Sequence, residues 1–303
     1  MQQFITITVR NLKIYFRDRG AVFFSLLSML IVICLMVFFL GNMNIESITR
    51  ILGEFGSRNA AADEKNAELL ILAWTCAGII SINAVTVTMA ACSAMIKDKV
   101  SGKINSIYTA PVSRAKIVAG YITAAWIASV IVCIITLFIT EVYSVSKGLS
   151  AFSLMTHIQL LGMIMVNSFI YATLMYLIAI LAKTEGAWSG LGTVIGTLVG
   201  FLGGIYIPIG ALSDTIGNIM KCTPIIYGTA MFRSVMTKEI LTTTFSDIPP
   251  EIIAEYRSAM GIDLTVFDNV MSVRTEWLIL LLCGIIFLAI GIITLAYSRK
   301  TDR

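Results

Sequence analysis

The sequence predicts an all-α integral membrane protein: six transmembrane helices, with an N-terminal interfacial helix and a re-entrant hairpin before the last span. Three observations lead there. Of 303 residues, 57% are hydrophobic and only 13% charged, against about a quarter charged in a soluble domain. The apolar residues fall in runs of about twenty, the length that crosses a hydrocarbon core about 30 Å thick. The charges between those runs segregate by sign, as Lys and Arg near a span resist translocation.

Residues 1–20 set Phe4, Ile5, Val9, Leu12, Tyr15 and Phe16 among Arg10, Lys13 and Arg17, a basic amphipathic helix suited to the membrane interface. Ala21 to Leu40 carries no charge. It is long for a signal-peptide core, and Gly41-Asn42-Met43-Asn44 is a poor cleavage site, so it reads as a retained first span. Asn42 to Glu68 is polar and slightly acidic, with Ile45, Ile48, Ile51, Leu52 and Phe55 at helical spacing, a short amphipathic helix on the outer surface. The remaining spans are Leu69 to Ile96, Ile117 to Thr140, His157 to Leu181, Ala187 to Ile207 and Trp277 to Tyr297. A tight turn around Lys183-Thr184-Glu185-Gly186 joins the fourth to the fifth.

Ile216 to Met236 is apolar enough to suggest another crossing, yet contains Lys221, Pro224 and Arg233. With six spans and both termini cytoplasmic, the cytoplasmic segments hold thirteen of the 22 Lys and Arg but four of the 18 acids. A seventh crossing would put Arg299 and Lys300 outside and the acidic 238–276 segment inside, against this bias. Pro208 to Met236 therefore reads as a dip into the outer half of the membrane, where irregular backbone must be shielded by protein or line a wet cavity. In the outer segment 238–276, Pro249-Pro250 opens a helix over Glu251 to Met260.

Small and mildly polar residues mark two faces within the spans. Gly192, Gly196, Gly200 and Gly204 recur every fourth residue, a surface on which another helix can approach closely. It serves a dimer or gating seam, or packing within the chain. Asn83, Thr86, Ala90 and Ser93 form a second face, and Asn167 and Tyr171 lie four apart on the fourth span. They line a path for an amphipathic cargo or bond between helices; both explanations stay open.

The chemistry that is missing narrows the function. The six cysteines form no Cys-x-x-Cys pair, so neither a zinc site nor a disulfide framework is indicated. The single His157 stands at a span edge. There is no Gly-x-x-x-x-Gly-Lys-Ser/Thr loop, His-Glu-x-x-His or Gly-x-Ser-x-Gly, so the chain is not expected to hydrolyse ATP or to act as an enzyme. No proposed span has an acid or base at its middle, which disfavours a gradient-driven carrier or channel.

The most informative stretch lies between the second and third spans, at residues 97–116. Lys97, Lys99, Lys103, Arg114 and Lys116 face one acid, Asp98, the signature of a cytoplasmic loop. Ile104, Ile107 and Tyr108 sit at i, i+3 and i+4 of a short helix that Pro111 stops. Lys97, Asp98, Gly102, Ile104, Ile107 and Pro111-Val112-Ser113-Arg114 fall in register with the loop of type-2 ABC-transporter permeases, which the chain resembles. It departs from that pattern at Lys103, Asn105 and Ala110.

The resemblance implies a single transmembrane domain over 1–303 that moves a drug, antibiotic or peptide outward across the plasma membrane, or alternatively a lipid-linked glycan. It implies a separate ABC ATPase subunit that holds ATP and Mg, and a second permease subunit, identical or related. Lys97, Asp98, Lys99, Gly102, Lys103, Ile104, Ile107, Tyr108, Pro111 and Arg114 would couple the two: Ile104, Ile107 and Tyr108 docked in an ATPase groove, Lys97, Lys99, Lys103 and Arg114 around its rim. Pro208, Pro224 and Arg233 would belong to the broken hairpin before the last span.

Overall fold

The computed structural model describes residues 2–35, 41–55, 59–109, 111–266 and 269–301, without the side chains of 28, 29, 32, 33, 35, 41, 42, 108 and 295–301. The described chain is almost wholly helical. In order, the helices are α1 (Gln2–Arg17), α2 (Arg19–Leu35), α3 (Gly41–Gly53), α4 (Ala60–Val100), α5 (Lys103–Thr109), α6 (Arg114–Ser146) and α7 (Leu154–Leu181). They continue as α8 (Glu185–Leu202), α9 (Asp214–Lys221), α10 (Pro224–Met236), α11 (Lys238–Thr244), α12 (Pro250–Ala259) and α13 (Val273–Thr301). A small antiparallel pair, β1 (Thr265–Val266) and β2 (Asn269–Val270), precedes the last helix.

Four of these are long and apolar enough to cross a membrane: α4, α6, α7 and, over Val273–Thr294, α13. Helix α2 reaches Leu35 after 17 residues, and the rest of the expected first span, 36–40, lies outside the described residues. Helix α8 has 18 residues and ends at Leu202, short of Ile207, because Gly204 adopts φ 63°. That left-handed conformation suits glycine and closes a helix C-terminus: the Gly204 and Ile205 amides donate to the carbonyls of Phe201 and Gly200.

The bundle is built around α4. It runs 41 residues, about 60 Å at 1.5 Å per residue, so the expected span 69–96 is its middle. The extension is a capped part of α4, since the Asn59 side chain accepts from the Ala61 and Ala62 amides and satisfies donors that a helix start leaves free. Ala67, Ala73, Ala77, Gly78, Ser81 and Ala84 let neighbours approach α4 closely, and Leu70, Trp74, Ile80 and Val85 are wholly buried beside them. Helices α3, α6, α7, α8 and α10 pack on it. The amphipathic stretch expected after the first span is α3, whose Ile48 and Leu52 are buried.

The region expected to be re-entrant is broken into short pieces. Pro208 precedes a single 3-10 turn at Ile209–Ala211, α9 follows, and Pro224 opens α10. Arg233 on α10 is fully buried, its guanidinium 3.8 Å from the centre of the Trp74 ring. Its Nη2 donates to the Gly204 carbonyl at 2.8 Å and its Nη1 to that of Met260 at 3.2 Å. The Trp74 indole donates to the same Met260 carbonyl at 2.8 Å. One cation thus ties α4 and α10 to the end of α8 and to the residues after α12, with carbonyls and a ring face, among the described residues, in place of a counter-ion. The helix expected at 251–260 is α12, one residue earlier at each end, and its Arg257 holds Asp263 by two bonds of 2.6 and 2.7 Å. His157 pairs with Glu141 at 2.8 Å across the turn between α6 and α7.

Helix α1 lies across α6. A Cβ at Gly120 would stand 2.6 Å from Ile7 Cγ2, so the crossing needs a residue without a side chain. Gly120→Val should lift α1 from the bundle. Trypsin should then cut membrane-embedded protein after Lys13 and Arg17 much faster than in the parent, with the rest of the digest unchanged; an unaltered digest would contradict this packing.

Candidate functional site

The residues singled out at 97–116 form the end of α4, the helix α5 and the start of α6, and α1 is fastened to the end of α4, to Pro111 beyond α5 and to α6. The chain leaves α4 through Ser101 and reverses at Gly102, whose φ of 73° is a conformation that side chains disfavour. Seven residues of α5 follow, and Pro111 separates them from α6.

Asp98 is the centre of this end. It is 3% exposed and accepts three charge-assisted hydrogen bonds. Arg10 of α1 approaches bidentately, Nη1 to Oδ2 at 2.6 Å and Nη2 to Oδ1 at 2.7 Å, and the Tyr121 hydroxyl of α6 donates to Oδ2 at 2.6 Å. Such paired bonds are short and strong because one partner is ionised on each side. The bond to Asp98 holds the Arg10 guanidinium above its ordinary range. Arg10 reaches this position because Thr8, Asn11 and Tyr15, the buried stripe of α1, seat the helix on the bundle. Further contacts pin α1 along its length: Gln3 Nε2 donates to the Pro111 carbonyl at 3.1 Å and Lys97 pairs with Asp18 at 3.1 Å. Asp18 also accepts from the Ala21 amide at 3.0 Å; that bond, with Lys97 beside it, holds its carboxyl below the usual range.

Two expectations for this segment are corrected. Lys99 is not on a rim: its ammonium donates to the carbonyls of Ile180 and Ala182 at 2.9 and 2.8 Å, closing the end of α7. The apolar side of α5 does not face outward either. Ile104 is 8% exposed and Ile107 packs against the core, because an apolar face this close to the bundle is buried by its own chain. The side chain of Tyr108 lies outside the described residues. The outward surface of α5 is Lys103, Asn105, Ser106 and Thr109, continued by Pro111. Lys97 is exposed beside Asp18, and Arg114 is half-buried at the start of α6.

The second group of residues is divided by the fold. Asn83, Thr86, Gly192 and Gly196 meet in a furrow between α4 and α8, two adjoining cavities of about 290 and 250 Å³ that share Thr86, Gly192 and Gly196. A Cβ at Gly196 would meet nothing within 4 Å, and one at Gly192 would meet Met89. Gly200 is closed by the Tyr206 ring and Gly204 lies beyond the helix, so the four glycines do not make one continuous seam. Asn83 turns its amide to Thr136 of α6 at 2.8 Å, and Ser93 bonds back to the Ala90 carbonyl. Asn167 and Tyr171 are away from the furrow, fully inside the bundle, where Asn167 abuts Gly228 of α10.

Comparison with family models matches residues 42–293 to the ABC-2 family transporter protein family. The chain belongs to the ABC-2 transporter family. No curated protein matches it. An ABC-2 permease is a membrane transport component and not itself an ATPase, and membership implies an ABC ATPase partner and a membrane setting. The match begins after α1 and α2, yet α1 supplies the arginine that completes the Asp98 site of this ABC-2 domain. Sequence reasoning placed Arg10 on an amphipathic helix and missed its partner. The one signal was that Asp98 stood as a lone acid among five cations.

Arg10→Ala should destabilise the protein by about 2 kcal/mol, less than the 3–5 for a wholly buried pair because the Arg10 side chain is 37% exposed. Asp98→Asn should cost a similar amount, and the double variant little more than either alone, as measured by thermal unfolding in detergent. Additive losses would show that the two residues act separately.

Proposed function

We propose that the chain is the permease of an ATP-driven exporter, in which two such subunits, identical or paired with a sister chain, span the membrane beside two ATPase subunits. The observation that supports this best is the short helix α5, which presents a polar outer surface, packs on α4 and leads through Pro111, held by Gln3 of α1, into α6. A partner pressing on α5 moves those helices together. In this reading α1 and α5 are cytoplasmic, the outer face of α5 is the ATPase seat, and Ile104 and Ile107 hold α5 to the bundle.

The six-span topology follows if α2 and α8 also cross, with 208–236 as a re-entrant hairpin. Helix α10, with 13 residues, is about 20 Å long and too short to cross a core of about 30 Å. The breaks that it leaves are satisfied internally by Arg233. The furrow between α4 and α8 is the candidate path. Its lining, which includes Ile31, Ile79, Ile82, Asn83, Thr86 and Tyr206, holds mild hydrogen-bonding groups and, among the described residues, no carboxylate, lysine, arginine or histidine, which suits a hydrophobic or amphipathic drug, antibiotic or peptide.

Substituting the exposed face of α5 tests the seat without touching the core. Asn105→Arg should weaken co-purification of the ATPase and ATP-dependent export by about tenfold, the scale of a lost ~1.4 kcal/mol contact, at unchanged abundance in the membrane. Ile107→Asp should instead lower abundance. Full ATPase recovery and export by Asn105→Arg would overturn the assignment.

A further inference from the structure

Helix α1 has three faces rather than the two of a simple amphipathic helix. Thr8, Asn11 and Tyr15 are buried against the bundle. Ile5, Val9 and Phe16 are left 51, 41 and 40% exposed. Lys13 and Arg17 form the third face, exposed and without a partner among the described residues. A groove of about 890 Å³ runs along this outer side, with Ile5, Val9 and Ile14 as its apolar part and Lys13, Arg17 and Lys97 as its basic part. The one acid that lines it, Asp18, is already engaged by Lys97 and by the Ala21 amide. Arg10 also borders the groove, its charge matched by Asp98.

We propose that this groove binds an anionic phospholipid, its phosphate between Lys13 and Arg17 and the start of an acyl chain along Ile5 and Val9. Ile5, Val9, Lys13 and Arg17 follow one another at intervals of four residues, so they form one slanting row that runs from the apolar face onto the adjoining basic one. Both cations, one turn apart, reach the same phosphate. A zwitterionic headgroup brings its own ammonium and leaves a cation unmatched, whereas an anionic one completes the charge. A soluble protein partner would gain from the basic half and leave the aliphatic half in water. The site rests on the reading that α1 lies in the membrane interface.

The full chain carrying Phe16→Trp, reconstituted in phosphatidylcholine vesicles, reports on both statements. The added tryptophan fluorescence, taken as the difference from the parent, is followed when a minor lipid component is replaced by its brominated form. Brominated phosphatidylglycerol should be enriched about tenfold at the label over brominated phosphatidylcholine, and Lys13→Gln with Arg17→Gln should abolish the preference. Equal quenching by both lipids would overturn the lipid site and leave the interfacial position of α1 intact. No quenching by either would remove both. A preference that survives the double substitution would also overturn the proposal, as would loss of ATPase co-purification in the double variant with quenching unchanged, which would make the groove a protein seat.

Discussion

One buried carboxylate organises the end of the molecule where force would enter. Asp98 closes the longest helix with its charge out of water, and a buried ion without partners costs several kcal/mol. Its partners come from two other helices, Arg10 on α1 and Tyr121 on α6, so satisfying one charge fixes where three helices meet. Lys99, the very next residue, does the same for the carbonyls that end α7. The short helix α5 hangs between these fixed points, with Ile104 and Ile107 tucked in and Lys103, Asn105, Ser106 and Thr109 exposed. A helix of seven residues would not hold together alone; here its neighbours hold it.

The opposite end solves the reverse problem. Arg233 is a buried cation, and among the described residues it bonds no carboxylate. Two carbonyls and the Trp74 ring take that place, which suits a delocalised guanidinium better than an ammonium. The choice of carbonyls ties together segments that form no regular structure with one another: the glycine after α8 and the turn after α12.

Much of this was legible in the sequence, and what was not has physical causes. Long apolar runs located α4, α6, α7 and α13, and Pro249-Pro250 located α12 to within a residue. The motif at 97–114 located α5 and named the family that the match over 42–293 then established. Residues 60–68 read as part of the outer amphipathic stretch 42–68 because Asp63, Glu64, Lys65 and Glu68 are charged, yet acids and lysine are good helix formers behind an Asn cap and carry α4 back to Ala60. Periodicity placed Ile104 and Ile107 on one face, but not which neighbour that face would meet. The glycine stripe looked continuous because spacing alone does not reveal that Gly204 has left the helix. Asn83 and Asn167 looked alike, whereas only the first borders the furrow.

The length of α4 has a mechanical consequence. Trp74 and Asp98 sit on the same unbroken helix, 24 positions apart and so about 36 Å along its axis, and each is bonded to a different set of neighbours. Rocking that rod by about 5° around its anchored middle displaces one anchor relative to the other by about 3 Å over this span, a hydrogen bond's length. An unbroken rod of this kind makes a small push at the α5 end felt as strain on the Met260 carbonyl, so disturbance at one surface has a direct mechanical address on the other.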